Sequence, residues 1–73
     1  MSEYMLIAEN KEKDIRLLVE DAGHELGYYL YVMRISTGEI YEDHLQDNLE
    51  MIFQQAEEDY HIESSQFKQV HEK

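Results

Sequence analysis

The chain has 73 residues with no cysteine and no proline, and its 17 acidic residues against 6 basic residues give a formal net charge of −11. The absence of cysteine excludes disulfides and Cys-containing zinc sites. The shortage of Lys and Arg argues against binding to nucleic acid or to an anionic membrane surface, because both need cations to neutralise phosphate. We expect a single domain over residues 1–73, close to the lower size limit for a chain that folds alone.

The N-terminal stretch MSEYMLIAENKEKD has an early acid and only a short apolar run. This is not the pattern of a secretory signal peptide. No window approaches the ~20 apolar residues that span a bilayer. We therefore expect a cytoplasmic protein.

The first half of the chain contains two candidate strands. The apolar run YMLIAE over residues 4–9 predicts the first, and NKEKD predicts the turn that follows. Ile15, Leu17 and Val19 then recur at a period of two, which favours a second strand. A helix over about 12–25 is the alternative, because Ile15, Leu18, Val19 and Ala22 also match helical spacing.

The segment YYLYVMRI over residues 28–35 is the most strand-like of the chain. Tyr28, Leu30 and Val32 would point to one face of a sheet, and Tyr29, Tyr31, Met33 and Ile35 to the other. Gly38 in the next segment can take the positive φ of a tight hairpin turn, and EIYEDHL returns as the partner strand. Both faces of residues 28–35 are apolar, so the pattern does not decide which face meets the rest of the domain.

A helix is predicted after this hairpin. Asp47 is a suitable N-cap with Glu50 three residues later, and one apolar stripe follows at 3.6-residue spacing. Its members are Leu49, Ile52, Phe53, Ala56 and Tyr60, with Leu45 as an extension and Met51 pointing away. The helix should end near Tyr60 or His61, where Ile62 can fold back on the last turn.

In the tail, Phe67 and Val70 are possible anchors in a short edge strand, and fraying is expected from His71 onward. The fold class is therefore α+β, with an antiparallel sheet of three to four strands packed on one main helix.

The stretch YYLYVMRISTGEIYEDHLQDNLEMIFQQAEEDYHI, residues 28–62, resembles a group of small uncharacterised bacterial proteins. Those proteins have an aromatic-rich strand, a Gly turn, a second strand and a helix that ends in an Ala-Glu-x-acidic-aromatic-x-Ile pattern. Here that pattern is Ala56, Glu57, Asp59, Tyr60 and Ile62. The resemblance implies a hairpin followed by a helix and implies no catalytic residue. The family often has Gly after the helix and Trp in the tail, where this chain has His61 and Phe67.

Candidate chemistry is sparse. Glu42 and His44 would share one face of a strand and could both bind one ion, with His61 as a third candidate, yet no spacing matches a known metal site. The serines and threonines lack the glycine framing of a nucleophile elbow, and no Gly-rich phosphate loop is present. We therefore expect no cofactor, no metal, no small-molecule substrate and no enzymatic activity.

The tyrosine-rich strand leads to the main hypothesis. If one of its faces meets the helix, the other needs cover from the N-terminal segment, from a helix over 12–25, from a second copy of the chain, or from another protein. We expect a non-catalytic interaction module that self-associates through Tyr29, Tyr31, Met33 and Ile35.

The alternative is an acidic protein that neutralises a basic partner. Between Arg34 and Lys68 lie nine acids and no Lys or Arg, and such a surface attracts cations. The candidate acids for this hypothesis are Glu42, Asp43, Asp47, Glu50, Glu57 and Glu58.

Overall fold

A computed structural model describes residues 4–70 of the chain. Its strands are β1 (Tyr4–Asn10), β2 (Ile15–Gly23), β3 (Gly27–Arg34), β4 (Glu39–Gln46) and β5 (Lys68–Gln69), and its helix is α1 (Leu49–Tyr60). Short 3₁₀ turns cover Lys11–Lys13 and Ser64–Gln66. Within residues 4–70, no helix combines the length and the apolar character that a membrane crossing would need.

The five strands form one sheet in the order β4-β3-β2-β1-β5, and every neighbouring pair is antiparallel. The predicted α+β fold with one helix in the C-terminal half is confirmed. The sheet has five strands because the tail contributes the short edge strand β5, whose residues pair with Leu6 and Ile7. The fraying expected from His71 onward lies outside the described residues.

The helix packs on one side of the sheet, and the core lies between them. Leu17, Val19, Leu30 and Val32 are fully buried there, in pairs across β2 and β3. The other buried core residues are Ala8, Ile15, Ile52, Ala56, Tyr60 and Ile62. The face of β3 that meets the helix is therefore the one with Leu30 and Val32. Aliphatic side chains can be buried without a polar partner, whereas each tyrosine would bring a hydroxyl that needs one.

The segment over 15–23 is a strand and not a helix, which confirms the period-two interpretation. Both β1 and β2 are therefore members of the sheet. Neither segment can cross beneath the second face, so the two kinds of internal cover weighed from the sequence are absent from residues 4–70.

The helix begins one residue later than predicted. Asn48, not Asp47, is the N-cap, and its side-chain oxygen accepts a 2.9 Å hydrogen bond from the Met51 backbone N–H. An N-cap needs extended backbone and a short acceptor side chain, and both residues offer the acceptor. Leu45 does not extend the helical stripe, because it lies in β4 and is 48% exposed.

The helix ends as predicted at Tyr60. His61 follows with φ of 58°, and the backbone N–H of Ile62 donates to the carbonyl of Ala56 at 3.1 Å. This return folds Ile62 into the core, where it is fully buried. A left-handed residue after the last turn is the usual way to end a helix, although glycine is the usual residue.

Two details of the hairpins follow from backbone geometry. Gly38 has φ of 74°, as predicted for the turn between β3 and β4. Gly27 has φ of 103°, and a Cβ there would clash with the Gln46 carbonyl oxygen, so only glycine fits. β3 ends at Arg34, so Ile35 lies in the turn and not in the strand as predicted; its N–H donates to the Asp14 carbonyl at 3.1 Å.

Candidate functional site

The sheet has a second face on the side opposite α1, which we call the open face. Residues paired across antiparallel strands point to the same side, so the register that places Leu17 and Val32 inward places Leu18 and Tyr31 outward. The same register assigns the remaining members of the open face, namely Tyr4, Ile7, Glu9, Arg16, Glu20, Tyr29, Met33, Ile40, Asp43, Leu45 and Lys68. Among residues 4–70, no helix or second sheet covers this face.

Aromatic rings occupy the middle of the open face. The ring of Tyr31 stacks on Tyr29, with centroids 5.7 Å apart, and meets the edge of Tyr4 at 5.8 Å. Leu18 pairs with Tyr31 and Ile7 on either side and is only 4% exposed, although it lies outside the core cluster. The rings and Ile7 form the apolar surface of this face, and Leu18 is buried between β1 and β3.

Two pairs of polar side chains in the middle of the open face are joined within the chain. The Tyr31 hydroxyl donates a 2.6 Å hydrogen bond to Glu20, and this bond, helped by partial burial, raises the pKa of Tyr31 well above its usual range. Arg16 donates from Nε to Glu9 at 2.7 Å, and its Nη2 also contacts this carboxylate. Paired charges can be covered at lower cost than isolated ones.

The residues predicted for an interaction site are distributed over four parts of the structure. Tyr29, Tyr31, Met33 and Asp43 lie together on the open face, whereas Ile35 lies in the neighbouring turn. The remaining acids lie elsewhere, Glu42 on the helix side of β4 and Glu57 and Glu58 on the exposed side of α1.

The sequence interpretation missed the open-face residues of β1 and β2, namely Tyr4, Ile7, Glu9, Arg16, Leu18 and Glu20, and also Ile40, Leu45 and Lys68. A signal for three of them was present. Once Ile15, Leu17 and Val19 are assigned to the core, the residues between them and after Val19 must point the other way. For Tyr4 and Ile7, the pairing of β1 with β2 was needed.

A second polar cluster connects α1 to β4 on the helix side. The Tyr60 hydroxyl donates a 2.6 Å hydrogen bond to Glu42 Oε1, and His44 Nε2 lies 3.2 Å from the same hydroxyl and 3.4 Å from Glu42. The hydrogen bond from Tyr60, with a smaller effect of His44, lowers the pKa of Glu42. Burial, with a smaller effect of the bond to Glu42, raises the pKa of Tyr60 far above its usual range.

This cluster includes the pair that suggested a metal site. Glu42 and His44 do share a face, but the third member is the phenol of Tyr60 and not His61. Over residues 4–70, no group of three or more His, Asp or Glu side chains is placed to hold a metal ion. The hydrogen bonds of the Tyr60 hydroxyl connect the last turn of α1 to the edge strand β4.

β4 is the long edge strand of the sheet, and its features oppose pairing with another strand. It carries the acids Glu39, Glu42 and Asp43, and its register with β3 shifts between Val32 and Met33. Charged residues and bulges on an edge disfavour strand addition. The open face is therefore a better candidate surface than the β4 edge.

Comparison of the chain with protein-family models, with curated proteins and with solved structures yields no match in any of the three. The resemblance of residues 28–62 to small bacterial proteins stays a prediction.

Proposed function

We propose that this protein is a non-catalytic interaction module that forms a homodimer through the open face. The observation that carries the proposal is the single-sided packing of the sheet. α1 covers one face, and an apolar and aromatic surface on the other face has no cover within residues 4–70. Large apolar patches on a monomer usually mark an interaction surface.

The size of the open face suits an interface between two small domains. Strands β1 to β4 are seven to nine residues long and about 4.8 Å apart, so they span roughly 14 by 26 Å, and β5 adds two residues at one edge. A standard interface buries about 800 Å² on each partner, which is a modest part of the 5122 Å² surface of the chain. Two sheets packed face to face would enclose the tyrosine cluster in a second core.

Tyrosine suits such a surface both in the single chain and in the proposed homodimer. Its ring loses contact with water when a partner covers it, while its hydroxyl keeps a polar partner. Here the Tyr31 hydroxyl has that partner in Glu20. Met33 and Leu45 add apolar area at the two ends of the face.

The experiment is a light-scattering measurement of solution mass over a concentration series. The dimer hypothesis predicts twice the chain mass of 8.8 kDa, with dissociation on dilution. A mass that stays at 8.8 kDa at millimolar concentration would exclude self-association.

A second candidate function is binding to a basic protein. The exposed side of α1 supports it, because the helix carries Glu50, Glu57, Glu58 and Asp59 and no basic residue. Asp43 would not belong to that surface, because its side chain points to the open face, whereas the side chain of Glu42 points to the helix side of the sheet.

Salt dependence distinguishes the two candidates. A complex between an acidic surface and a basic partner weakens steeply as salt rises. Two copies of a chain with a net charge of −11 repel each other, so added salt should tighten the homodimer. A homodimer that weakens in salt would contradict an apolar interface between acidic chains.

A further inference from the structure

The central strand of the open face has a charge pattern that is complementary to itself. On β2, Glu20 and Arg16 lie two residues on either side of Leu18, and all three point outward. Reversing the direction of this strand places an acid where a base was and leaves Leu18 in place.

A two-fold axis can relate two stacked sheets in two simple ways. If the axis runs along the strands through β2, Arg16 meets Arg16 and Glu20 meets Glu20 of the second copy. If the axis runs across the strands through Leu18, each Arg16 meets a Glu20. The second arrangement converts two like-charge contacts into two ion pairs in the middle of the interface.

We propose that the open faces of two copies pack antiparallel about an axis through Leu18, with Arg16 of each copy bound to Glu20 of the other. This inference rests on the proposed function, because it specifies the geometry of that homodimer. It identifies Arg16 and Glu20 as the residues that set its orientation.

Both groups can take a second partner. Arg16 contacts Glu9 through Nε and Nη2, and a guanidinium has five N–H donors in all. Glu20 accepts the Tyr31 hydrogen bond on Oε1, and a carboxylate has about four acceptor positions. Sheets pack about 10 Å apart, a separation that two long side chains can bridge.

The neighbouring strands fit the same axis. On β3, Tyr29 and Met33 lie on either side of Tyr31, so each Met33 would contact Tyr29 of the second copy, a favourable sulfur–aromatic contact. On β4, Leu45 would face Ile40, the partner of Met33 in the register. Both residues are more than two-fifths exposed in the single chain.

The arrangement has two unfavourable contacts, both at the edges of the interface. Asp43 lies level with Tyr31 and would face Asp43 of the second copy, and Lys68 lies level with Ile7 and would face Lys68 of the second copy. The other axis would instead bring Asp43 near Lys68, which is level with Ile7 at the opposite edge. Edge charges are exposed and screened by salt, whereas charges at the centre are not, so the β2 pair decides the orientation.

The test uses charge reversal in the full chain. Arg16→Glu and Glu20→Arg each place two like-charge contacts in the homodimer, and each should weaken it about tenfold or more. An equimolar mixture of the two variants forms a heterodimer with both ion pairs present, so it should return close to wild-type affinity. Lys13→Glu and Glu25→Arg make the same changes of net charge at exposed turn positions and should leave the affinity within about twofold.

Each outcome supports or overturns the inference. If wild-type protein is a monomer, the proposed function itself is wrong. If the wild type is a dimer but Arg16→Glu dimerises equally well, only the antiparallel geometry is wrong, because the other axis already pairs Arg16 with itself. Weak variants whose mixture does not recover would also overturn it.

Arg16→Glu places an acid beside Glu9, so folding is checked by circular dichroism. If a charge reversal unfolds the chain, dimer affinity is measured instead in a double-mutant cycle. The cycle uses Arg16→Gln, Glu20→Gln and the double variant. The inference then predicts a coupling of about threefold or more, and additive effects would overturn it.

Discussion

Tyr31 and Glu20 are joined diagonally across β3 and β2 by a 2.6 Å hydrogen bond on the open face. Their backbones are not direct partners, since Tyr31 is level with Leu18 and Glu20 with Tyr29. The bond satisfies the phenol within the sheet. A partner can therefore cover the ring without leaving a buried hydroxyl unpaired, which would cost about 1–3 kcal/mol.

Tyr31→Asp should abolish the dimer and leave the domain folded. The substitution removes the central ring and places a carboxylate between Glu20 and Asp43, so an apposed second face would have to cover an unpaired charge. Light scattering measures the mass, and circular dichroism measures the fold. Tyr31→Phe is the matched control, because it keeps the ring and should keep the dimer. An unfolded Tyr31→Asp chain would instead indicate that Tyr31 belongs to the core of the single chain.

Tyr60→Phe should lower the free energy of unfolding by about 1–2 kcal/mol. The change removes the hydroxyl that donates to Glu42 and contacts His44, while the buried ring remains. Urea denaturation measures the effect. Tyr41→Phe is the control, because this exposed ring packs under Arg34, and that contact survives the loss of a hydroxyl. Equal destabilisation by both substitutions would contradict a specific role for the Tyr60–Glu42 bond.

The stabilising effect of Glu42 should depend on pH in the acid range. Its pKa is lower in the folded chain than its ordinary value of 4.5, chiefly because of the Tyr60 hydrogen bond. The unfolded state therefore binds more protons, and the stabilisation is fully present above pH 4.5 and lost as the pH falls through the folded pKa. The stability difference between wild type and Glu42→Gln should be larger near neutral pH than in strong acid.

Urea midpoints across this pH range measure that difference. Glu39→Gln controls for the loss of one charge, because Glu39 lies on the same strand and its side chain makes no hydrogen bond within residues 4–70. A difference for Glu42→Gln that is constant with pH, or that grows in acid, would contradict the prediction.

His61→Gly should raise the free energy of unfolding by about 0.5–1 kcal/mol. His61 has φ of 58° after the last turn of α1. This left-handed backbone conformation costs a residue with a Cβ about 1–2 kcal/mol, and it costs glycine nothing. The greater conformational freedom of glycine in the unfolded chain offsets part of the gain in stability. Thermal and urea unfolding measure the change.

Asp14→Gly is the contrasting variant at a second positive φ of 63°. The Asp14 carboxylate accepts from the backbone N–H and the hydroxyl of Ser36 at 2.9 and 2.7 Å. Because these bonds would be lost, Asp14→Gly should destabilise the chain. Stabilisation by both substitutions would show that backbone strain outweighs the side-chain bonds of Asp14.

Most of the fold could be predicted from local patterns in the sequence. The period of two over residues 15–19 and the apolar run over residues 28–35 identified β2 and β3, and the stripe ending at Tyr60 identified α1. These signals are strong because they depend on the spacing of apolar residues along one element. The N-cap was misplaced by one residue because Asp47 and Asn48 are chemically equivalent caps.

The orientation of β3 could not be predicted in the same way. Both of its faces are apolar, and the choice between Leu30 and Tyr31 depends on which face the helix covers. The Tyr60–Glu42 bond joins residues 18 positions apart, and the open face combines side chains from all five strands. Such contacts follow from strand order and register, which local spacing does not determine.

The most direct test of the central claim is an isotope-filtered NMR measurement on a mixture of labelled and unlabelled chains. It detects contacts between copies only. The proposed dimer predicts intermolecular cross-peaks from the Leu18 methyl groups and between the Tyr29 ring and the Met33 methyl group. Cross-peaks confined to the exposed side of α1, or none at millimolar concentration, would contradict the account.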